Sequence, residues 1–157
     1  MAIRQILTGK NNERLRKKSR EVKEITSRIT QLVSDMKYTL KREEGVGLAA
    51  PQVGVLRRVI IVDFEDDMFE IINPVISKMT GESIESEGCL SLLPTNGFVL
   101  RPQSLTVKGL NLKGEKIKMD LDGIKARIVC HEVDHLEGIL FVDKIIPEEE
   151  LDLEEDA

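Results

Sequence analysis

The sequence is short of cysteine, histidine and aromatic residues. Its 157 positions include two cysteines, Cys89 and Cys130, two histidines and no tryptophan, and aromatic residues make up 3%. The two cysteines could form one disulfide, but in a reducing compartment free thiols or metal ligands are the expected use. With so few aromatic rings, Leu, Ile, Val and Met must fill the core.

Long apolar runs are also absent. No stretch reaches the ~18 consecutive apolar residues that a membrane-spanning helix needs, and residues 1–20, MAIRQILTGKNNERLRKKSR, lack the apolar centre of a signal peptide. These features predict a cytoplasmic protein with no membrane partner. The net charge is −5 and the 23 Lys and Arg are interspersed among acids, so we expect no concentrated basic stripe and no nucleic-acid partner.

Hydrophobic periodicity predicts two helices. Apolar side chains recur at helical spacing over about 25–43, and Gly45 and Gly47 then end the pattern. A second pattern covers 124–136, where Asp122 is suited to the N-cap and Gly138 to the position just beyond the C-terminus. The first is a long N-terminal helix, and the second carries the strongest functional signal.

β-Branched runs predict strands at 59–62 and 69–72, and Pro74 is expected to interrupt the second. Residues 105–107 and 116–119 predict a hairpin around Lys113-Gly114, and 140–143 are also strand-like. The predicted fold class is therefore α+β, with small antiparallel or mixed sheets packed around the second helix. Residues 1–146 are expected to form one catalytic domain, and the acidic segment 147–157, PEEELDLEEDA, a solvated tail.

The strongest signal is His131-Glu132-Val133-Asp134-His135 in the second predicted helix. Residues four apart share one helical face, so both imidazoles can reach one ion while Glu132 stands beside a water molecule on that ion. These are also the only two histidines of the chain. The pattern indicates a metal site with Glu132 as general base.

Two imidazoles alone hold a divalent ion weakly, and catalytic sites usually have three protein ligands. Cys89 is the best candidate for the third, because thiolate is a strong ligand for zinc or ferrous iron and Gly88 allows a close backbone approach. A free cysteine is more often a buried small hydrophobe. Cys130 is interpreted in that way, since it points about 100° away from His131 around the helix.

A third segment, GVGLAAPQ at 45–52, is rich in glycine and small residues. Its glycines allow a substrate backbone to come close, and Gln52 offers an amide donor for a developing oxyanion. By itself such a loop is more often a tight turn, and it lacks the Gly-Lys-Ser/Thr ending of a phosphate-binding loop. The segment indicates a functional site only when it is taken together with the Cys89 segment and the segment 131–135.

Together the three segments resemble the peptide deformylase family. That family has GxGLAAxQ, EGCLS and HExDHLxG in this order, and the chain has GVGLAAPQ at 45–52, EGCLS at 87–91 and HEVDHLEG at 131–138. The resemblance extends from the first helix to about residue 143. It implies a metal-dependent hydrolase that removes the N-formyl group from the N-terminal formylmethionine of newly made polypeptides.

The resemblance also implies roles for individual residues. One divalent ion, iron(II) first and zinc, nickel or cobalt as alternatives, would be bound by Cys89, His131 and His135. Glu132 would shuttle protons, and Gln52 with the Leu90 backbone N–H would hold the carbonyl oxygen.

The implied partners are N-formylmethionyl peptides, with the ribosome near the nascent-chain exit as a further partner. The peptide would pair as an extended strand near Val46 and Gly47 on one side and Gly88 on the other. Its methionine side chain would enter an apolar pocket that includes Ile128 and His131.

Two positions depart from the family pattern. The proline that commonly follows EGCLS comes one position later here, in Leu92-Leu93-Pro94-Thr95, which affects the rim of the pocket. The residue before HExxH is commonly Gln and is Cys130 here, which alters the hydrogen bonding around the helix. We expect activity with an altered specificity or rate.

Two other interpretations stay open. In a small HExxH peptidase, a downstream carboxylate such as Glu149 or Glu150 would replace Cys89 as ligand, which leaves the 45–52 loop without a role. A structural metal module or a catalytically silent peptide binder would need a closed fourth ligand position, for which the sequence offers no third histidine or well-placed cysteine.

Overall fold

The computed structural model describes residues 2–151 and has an α+β fold, as the hydrophobic pattern predicts. Its two long helices are α1, Ser27–Arg42, and α2, Gly123–Leu136. The strands are β1 Gly47–Ala49, β2 Val59–Phe64, β3 Asp67–Thr80, β4 Ser83–Gly88, β5 Asn96–Arg101, β6 Ser104–Leu110 and β7 Lys116–Asp122. Short 3-10 helices cover Arg14–Arg16, Ala50–Val53 and Phe141–Lys144.

Five strands form one antiparallel sheet in the order β1-β2-β3-β6-β7, and β4 pairs with β5 in a second sheet. In β2, Val59 and Ile61 belong to the core on the α1 side, whereas Ile60 and Val62 belong to the core that includes α2. Alternate residues of a strand point to opposite faces. The two helices therefore cover opposite faces of the five-stranded sheet, and this double burial explains the unbroken apolar run at 59–62.

Helix α1 is amphipathic, and its apolar face forms the core on one side of the sheet. The buried apolar side chains are Ile29, Leu32, Val33, Met36 and Leu40. Its bounds fall within two residues of the predicted span. The chain leaves the helix through Gly45, where a Cβ would lie only 2.8 Å from Leu40 and 3.0 Å from Leu90. The glycine thus lets the chain turn closely over the helix end.

Helix α2 lies between the two sheets. One side packs on the five-stranded sheet, and on the other side Arg127 donates a hydrogen bond to the Val99 carbonyl of β5 at 2.9 Å. Asp122 stands at the predicted N-cap position, but its side chain makes no capping hydrogen bond. Gly138 follows the helix with φ 75°, and a Cβ there would collide with the Arg16 backbone. That position therefore requires glycine.

The expectation that Pro74 interrupts continuation of its strand is wrong, although the pairing is irregular there. Strand β3 continues to Thr80, and its pairing with β6 shifts register between Ile72 and Val75. Asn73 takes φ 55° at this point, and its side-chain amide exchanges two hydrogen bonds with the Val22 backbone, both 2.8 Å. A bulge of this kind tolerates the missing N–H of proline within a longer strand.

The strand-like segment 140–143 is also not a strand. A 3-10 helix begins at Phe141, and Asp143 accepts the Leu140 N–H at 3.0 Å while pairing with Arg16 at 2.6 Å. These bonds fold the segment back against α2. The Phe141 ring consequently stacks on His131, with ring centroids 5.8 Å apart.

The acidic segment 147–157 lies only partly within the described residues. Residues 147–150 are exposed, 148–151 form a helical turn, and 152–157 lie outside the description. The boundary of the catalytic domain at residue 146 stays a prediction. Within residues 2–151, every helix is too short or too polar to traverse a bilayer.

Candidate active site

Three potential metal ligands from distant parts of the chain meet in the interior. Cys89 follows the end of β4, and His131 and His135 lie on adjacent turns of α2. The Cys89 sulfur and one ring nitrogen of each histidine all lie within 4.8 Å of one another, and all three residues are buried. One thiolate and two imidazoles around a single point fit a divalent transition metal such as iron(II) or zinc.

Hydrogen bonds determine which ring nitrogen of each histidine faces this cluster. His131 Nδ1 lies 2.9 Å from Glu87 Oε1, which leaves its Nε2 for a metal. His135 Nε2 lies 3.4 Å from Cys89 Sγ, and its buried Nδ1 has no partner among the described residues. A ligating histidine whose second nitrogen bonds to a carboxylate is held in one tautomer and one orientation. His131 is therefore the anchored candidate ligand of the pair.

Glu87 is the centre of a buried charged network behind His131. Its carboxylate accepts two hydrogen bonds from Arg101, at 2.9 and 3.0 Å, and one from Arg127, at 2.6 Å. Arg101 also donates to Asp134 at 2.6 Å. Burial alone would raise the pKa of Glu87, but hydrogen bonds to His131 and Arg101 lower it to about 2. The carboxylate therefore stays ionised and keeps His131 oriented.

The surroundings of His131 favour positive charge on its ring, whereas those of His135 do not. Burial disfavours charge on His131, but hydrogen bonds to Cys89 and Glu87 and the nearby Glu132 carboxylate raise its pKa to about 10. Burial and the charge of His131 lower the pKa of His135 well below its usual range, so that its imidazole is neutral. The groups that favour a proton on His131 would equally favour a divalent cation beside it.

Glu132 is the buried acid beside the cluster. It is 4% exposed, and its Oε1 has no hydrogen-bond partner within residues 2–151. Burial raises the pKa of Glu132 to about 7, against the opposing charge of His131. A carboxyl group with a pKa near neutrality can both accept and return a proton.

Gly47 provides the space that Glu132 occupies. A Cβ at this position would collide with Glu132 Oε2 and would lie 2.8 Å from Ile128 Cγ2. Only glycine leaves room for both side chains, because a methyl group would have to displace one of them. The glycine-rich segment 45–52 thus leaves space for Glu132, the acid of the segment 131–135.

Gln52 presents its amide nitrogen to the cluster. The residue is 1% exposed, and its Oε1 accepts the Ala49 N–H at 2.9 Å. This bond fixes the amide so that Nε2 lies 3.4 Å from Cys89 Sγ and 3.0 Å from Ser91 Oγ. The neighbouring Leu90 N–H makes no hydrogen bond in the described chain. The Gln52 amide thus borders the candidate ligand Cys89, and the Leu90 N–H is the next backbone donor along the chain.

A cleft of about 400 Å³ opens onto the cluster. All four residues predicted to bind substrate line it, namely Val46, Gly47, Gly88 and Ile128. A Cβ at Gly88 would meet only the Thr95 carbonyl, at 3.7 Å, so that wall of the cleft is clear. Among the described residues 2–151, strand β1 is at the edge of its sheet and β4 pairs only with β5, so each wall carries an unpaired strand edge.

Cys130 and the C-terminal glutamates lie apart from the cluster. Cys130 belongs to the core between α2 and the sheet, and burial raises its pKa to about 11, as befits a packed thiol. Glu149 and Glu150 are exposed and are not among the clustered ligands. The peptidase interpretation, in which one of them replaces Cys89, therefore does not fit the structure.

The sequence analysis missed the residues that hold His131 in place, which are Glu87 and its partners Arg101 and Arg127. Two of them carry a weak signal, since Arg127 lies four positions before His131 on the same helical face and Glu87 lies two positions before Cys89. Arg101 carries none, because only the pairing of β4 with β5 brings it to Glu87.

The polypeptide deformylase family model matches residues 3–150. The peptide deformylase of Alkaliphilus metalliredigens is 51% identical over 148 residues, which cover 94% of this chain and 100% of that protein. The crystal structure of the Thermotoga maritima peptide deformylase has a TM-score of 0.90 and 32% identity and covers 94% of this chain and 100% of that one. A Met-Ala-Ser-bound crystal structure of the class I type b peptide deformylase from Acinetobacter baumannii has a TM-score of 0.88 and 34% identity, with 92% of this chain and 99% of that chain covered.

These similarities extend over nearly the whole chain, including both helices and all the strands described. The family depends on a metal ion, and the buried cluster of Cys89, His131 and His135 offers a site for one. The chain therefore belongs to the polypeptide deformylase family and is an enzyme that removes N-formyl groups from newly made polypeptides.

Proposed function

We propose that Cys89, His131 and His135 hold one divalent ion, and that Glu132 exchanges protons with the water that attacks the formyl group. The observation that carries this proposal is the convergence of three ligand atoms within 4.8 Å beside a buried carboxyl group. Iron(II) is the proposed native ion. Zinc, nickel and cobalt suit the same thiolate and imidazole donors.

An ion at this position would supply Lewis acidity, which lowers the pKa of a water molecule and polarises the formyl carbonyl. Glu132 accepts a proton from the attacking water and returns it to the nitrogen of the departing amine. Its Oε1, which has no other partner in the described chain, is available for both transfers. The products are formate and a peptide with a free α-amino group.

Gln52 and the Leu90 N–H are proposed to bind the carbonyl oxygen as it gains negative charge. The amide of Gln52 is already oriented by its bond to Ala49, so that little reorganisation is needed during the reaction. Loss of one such donor typically costs about 10²–10³-fold in kcat. Both residues border Cys89, so the oxygen and the ion would be bound side by side.

The peptide is proposed to bind as an extended strand between the two sheets. Val46 and Gly47 line one wall of the cleft, and Gly88 lines the other. Both β1 and β4 have an unpaired edge, to which a substrate backbone can add as a further strand. Ile128 offers apolar contact to the methionine side chain. The Acinetobacter baumannii relative with Met-Ala-Ser bound supports a peptide of this type.

Chains that emerge from the ribosome are the proposed natural substrates, which would place the enzyme in the cytoplasm near the nascent-chain exit. All the residues named in this mechanism fall within the proposed catalytic domain of residues 1–146. The acidic segment 147–157 is proposed to be a solvated tail, in keeping with the exposure of residues 147–150.

Hydrolysis of formyl-Met-Ala-Ser by freshly prepared, iron-loaded enzyme tests the proposed function. Formate release is expected, and it should stop on addition of a chelator and return with the metal. Acetyl-Met-Ala-Ser serves as the control, because its carbonyl carbon carries a methyl group in place of the formyl hydrogen, and a tight site excludes the bulkier group by steric clash. Equal turnover of both peptides, or turnover that survives complete metal removal, would contradict the proposal.

A further inference from the structure

Strand β7 forms one edge of the five-stranded sheet. The strand order β1-β2-β3-β6-β7 places β1, which borders the active-site cleft, at one edge and β7 at the other. Among residues 2–151, only β6 pairs with β7. The outer side of an edge strand carries N–H and C=O groups to which a further strand can bind. The β7 edge is therefore a surface on which another chain can extend the sheet.

The side chains of β7 alternate between charged and apolar. The strand reads KIKMDLD, and its charged residues are exposed whereas its apolar residues are half-buried. Ile117, Met119 and Leu121 pack against the core on the α2 side of the sheet. Because alternate residues of a strand point to opposite faces, the charged side chains project from the other face. These charged residues are Lys116, Lys118, Asp120 and Asp122.

The charges of β7 are not neutralised by the rest of the described chain. None of the charged residues of β7 takes part in an ion pair among residues 2–151. Lys118 lies opposite Lys108 of β6, and like charges in facing positions are unfavourable. Asp120 accepts a hydrogen bond from the Thr106 hydroxyl at 2.7 Å, which orients the carboxylate. A carboxylate on the free side of Lys118 and an ammonium on the free side of Asp120 would therefore be favourable.

Hydrogen bonds at the two ends of the β6–β7 pair show which backbone groups of β7 face outward. The Asn111 N–H donates to the Glu115 carbonyl at 3.1 Å, and the Gly123 N–H donates to the Gln103 carbonyl at 2.9 Å. The register between these ends is continuous, and bonded residues alternate with unbonded ones in an antiparallel pair. The odd-numbered residues of β7 therefore bond to β6. The even-numbered residues, which are the charged ones, direct their N–H and C=O groups outward.

A second copy of the chain fits this edge in an antiparallel arrangement centred on Met119. A two-fold axis at this residue places Lys116 opposite the partner's Asp122 and Lys118 opposite the partner's Asp120. The symmetry repeats both pairs, so every facing pair of charged residues joins opposite charges. The paired residues are the even-numbered ones, so each pair can also exchange two backbone hydrogen bonds.

The order of charges along β7 disfavours the neighbouring registers. A shift of the partner by two residues moves the centre to Lys118 or to Asp120, and that residue then faces the same charge on the partner. A shift by one residue places even-numbered residues opposite odd-numbered ones, whose backbone groups point away from the edge. Charged residues on an edge strand usually prevent pairing with another strand. In β7 their order favours one partner, a second copy, and one register.

We propose that two copies of the enzyme associate through β7, in the antiparallel arrangement centred on Met119, and form one continuous sheet. Each copy contributes the same surface, as a closed two-fold assembly requires. The seven residues of β7 are few beside the roughly 20–30 that each partner contributes to a standard interface, so we expect a weak and salt-sensitive dimer. None of the residues named in the proposed mechanism lies on β7, so each copy keeps a complete active site.

The first test is sedimentation equilibrium of the zinc-loaded 157-residue chain over a range of protein concentrations. The weight-average mass should rise from 17.7 kDa toward twice this value, and the dissociation constant should increase as salt is added. A mass that stays at that of one chain up to about 1 mM protein would overturn the proposal.

Two charge variants test the register. Lys116→Asp with Lys118→Asp makes the charges of the strand wholly acidic, and Asp120→Lys with Asp122→Lys makes them wholly basic. In either variant alone every facing pair is repulsive, so self-association should weaken about 30-fold or more. In an equimolar mixture every pair again joins opposite charges, so a heterodimer should form with a dissociation constant within about threefold of the wild-type value. Wild-type self-association of either variant, or no heterodimer between two variants that thermal unfolding shows to be folded, would overturn the proposal.

Lys17→Asp with Lys18→Asp is the matched control for the acidic variant. Both lysines are exposed and lie before α1, outside every strand, and the change in net charge is the same. This control should self-associate within about twofold of the wild type, because distant surface charges are largely screened by salt. Equal weakening by the control and the acidic variant would mean that net charge alone governs association, which would overturn the proposal.

Amide hydrogen exchange of the wild-type chain, resolved by residue with NMR, tests the register without any substitution. The Lys118 and Asp120 N–H groups should exchange about twofold more slowly at the protein concentration where half of the chains are dimeric. The Met119 N–H, which already bonds to β6, should not change. A dimer that leaves Lys118 and Asp120 unprotected would place the interface elsewhere and overturn the proposal. Neither mass nor exchange depends on turnover, so failure here is distinguishable from failure of the proposed function.

Discussion

Replacement of Gly47 by alanine adds one methyl group in the space that Glu132 occupies. The new Cβ would collide with Glu132 Oε2, and it would lie 3.0 Å from Glu132 Cδ and 2.8 Å from Ile128 Cγ2. Ordinary van der Waals contact begins near 3.4 Å. Ile128 Cγ2 must therefore retreat by roughly 0.6 Å and the Glu132 carboxylate by more, or the strand must shift by a similar amount.

This displacement falls on the group that is proposed to transfer protons. A misplacement of about 1 Å can cost about 10²-fold in rate, so we expect kcat for formyl-Met-Ala-Ser to fall by about 10- to 100-fold. Overpacking should also lower the free energy of unfolding by about 1–3 kcal/mol. No ligand atom is among the three closest to the new methyl group, so metal content should stay near one ion per chain.

Gly88→Ala is the matched comparison, because it adds the same methyl group on the opposite wall of the cleft. The nearest atom there is the Thr95 carbonyl oxygen, at 3.7 Å. This variant should alter KM through peptide binding and keep kcat within about threefold of the wild type. Steady-state kinetics, elemental analysis and thermal unfolding of the three proteins give the comparison. A Gly47→Ala enzyme with wild-type kcat and full metal would refute the idea that clearance at residue 47 positions Glu132.

Three further substitutions test individual roles. Glu132→Gln should keep its metal, measured by elemental analysis, and lose about 10²–10⁴-fold in kcat, because the proton acceptor is gone while the ligands remain. Glu87→Gln should weaken metal affinity about 10- to 100-fold in competition with a chelator, because His131 loses the charged partner of its Nδ1. Cys130→Ser should not slow the decay of activity of the iron-loaded enzyme in air, whereas nickel loading should, because the sensitive thiolate is that of Cys89.

Each of these substitutions has a result that would contradict its reasoning. Full turnover by Glu132→Gln would exclude the assigned role. Asp134→Asn is the control for Glu87→Gln, because Asp134 belongs to the same network but makes no side-chain hydrogen bond to His131. Both should lower the Tm, and an equal loss of metal affinity would mean that the network acts through stability alone. If Cys130→Ser alone abolished the decay in air, the core thiol would be the site of oxidation.

The helix that bears the candidate ligands could be predicted because its determinants are local. Apolar spacing sets α2, and the four-residue interval places His131 and His135 on one face whatever the rest of the chain does. The continuous run at 59–62 likewise marks a strand buried on both faces. The third candidate ligand, Cys89, required donor chemistry and the EGCLS resemblance, since a single free cysteine is by itself more often a buried thiol.

The remaining parts depend on contacts between distant segments. Strand β4, SIESEG, has three polar or charged residues in its centre and is extended because it pairs with β5. The hydrogen bonds of Glu87 come from Arg101 and Arg127, which belong to two other elements. Pro74 lies within β3 because the bulge at Asn73 accommodates a residue without an N–H. The Asn73 side chain bonds to the Val22 backbone, which is 51 residues away in the sequence. A pattern within a short stretch of sequence cannot predict contacts between residues that lie so far apart in the chain.

X-ray absorption at the metal edge of the zinc-loaded enzyme tests most directly whether Cys89, His131 and His135 hold one ion. The expected coordination sphere contains one sulfur at about 2.3 Å, two imidazole nitrogens at about 2.0–2.1 Å and one further oxygen or nitrogen. Cys89→Ser should remove the sulfur, and Cys130→Ser should keep it. A wild-type coordination sphere of nitrogen and oxygen alone, or a sulfur that persists in Cys89→Ser, would contradict the assignment.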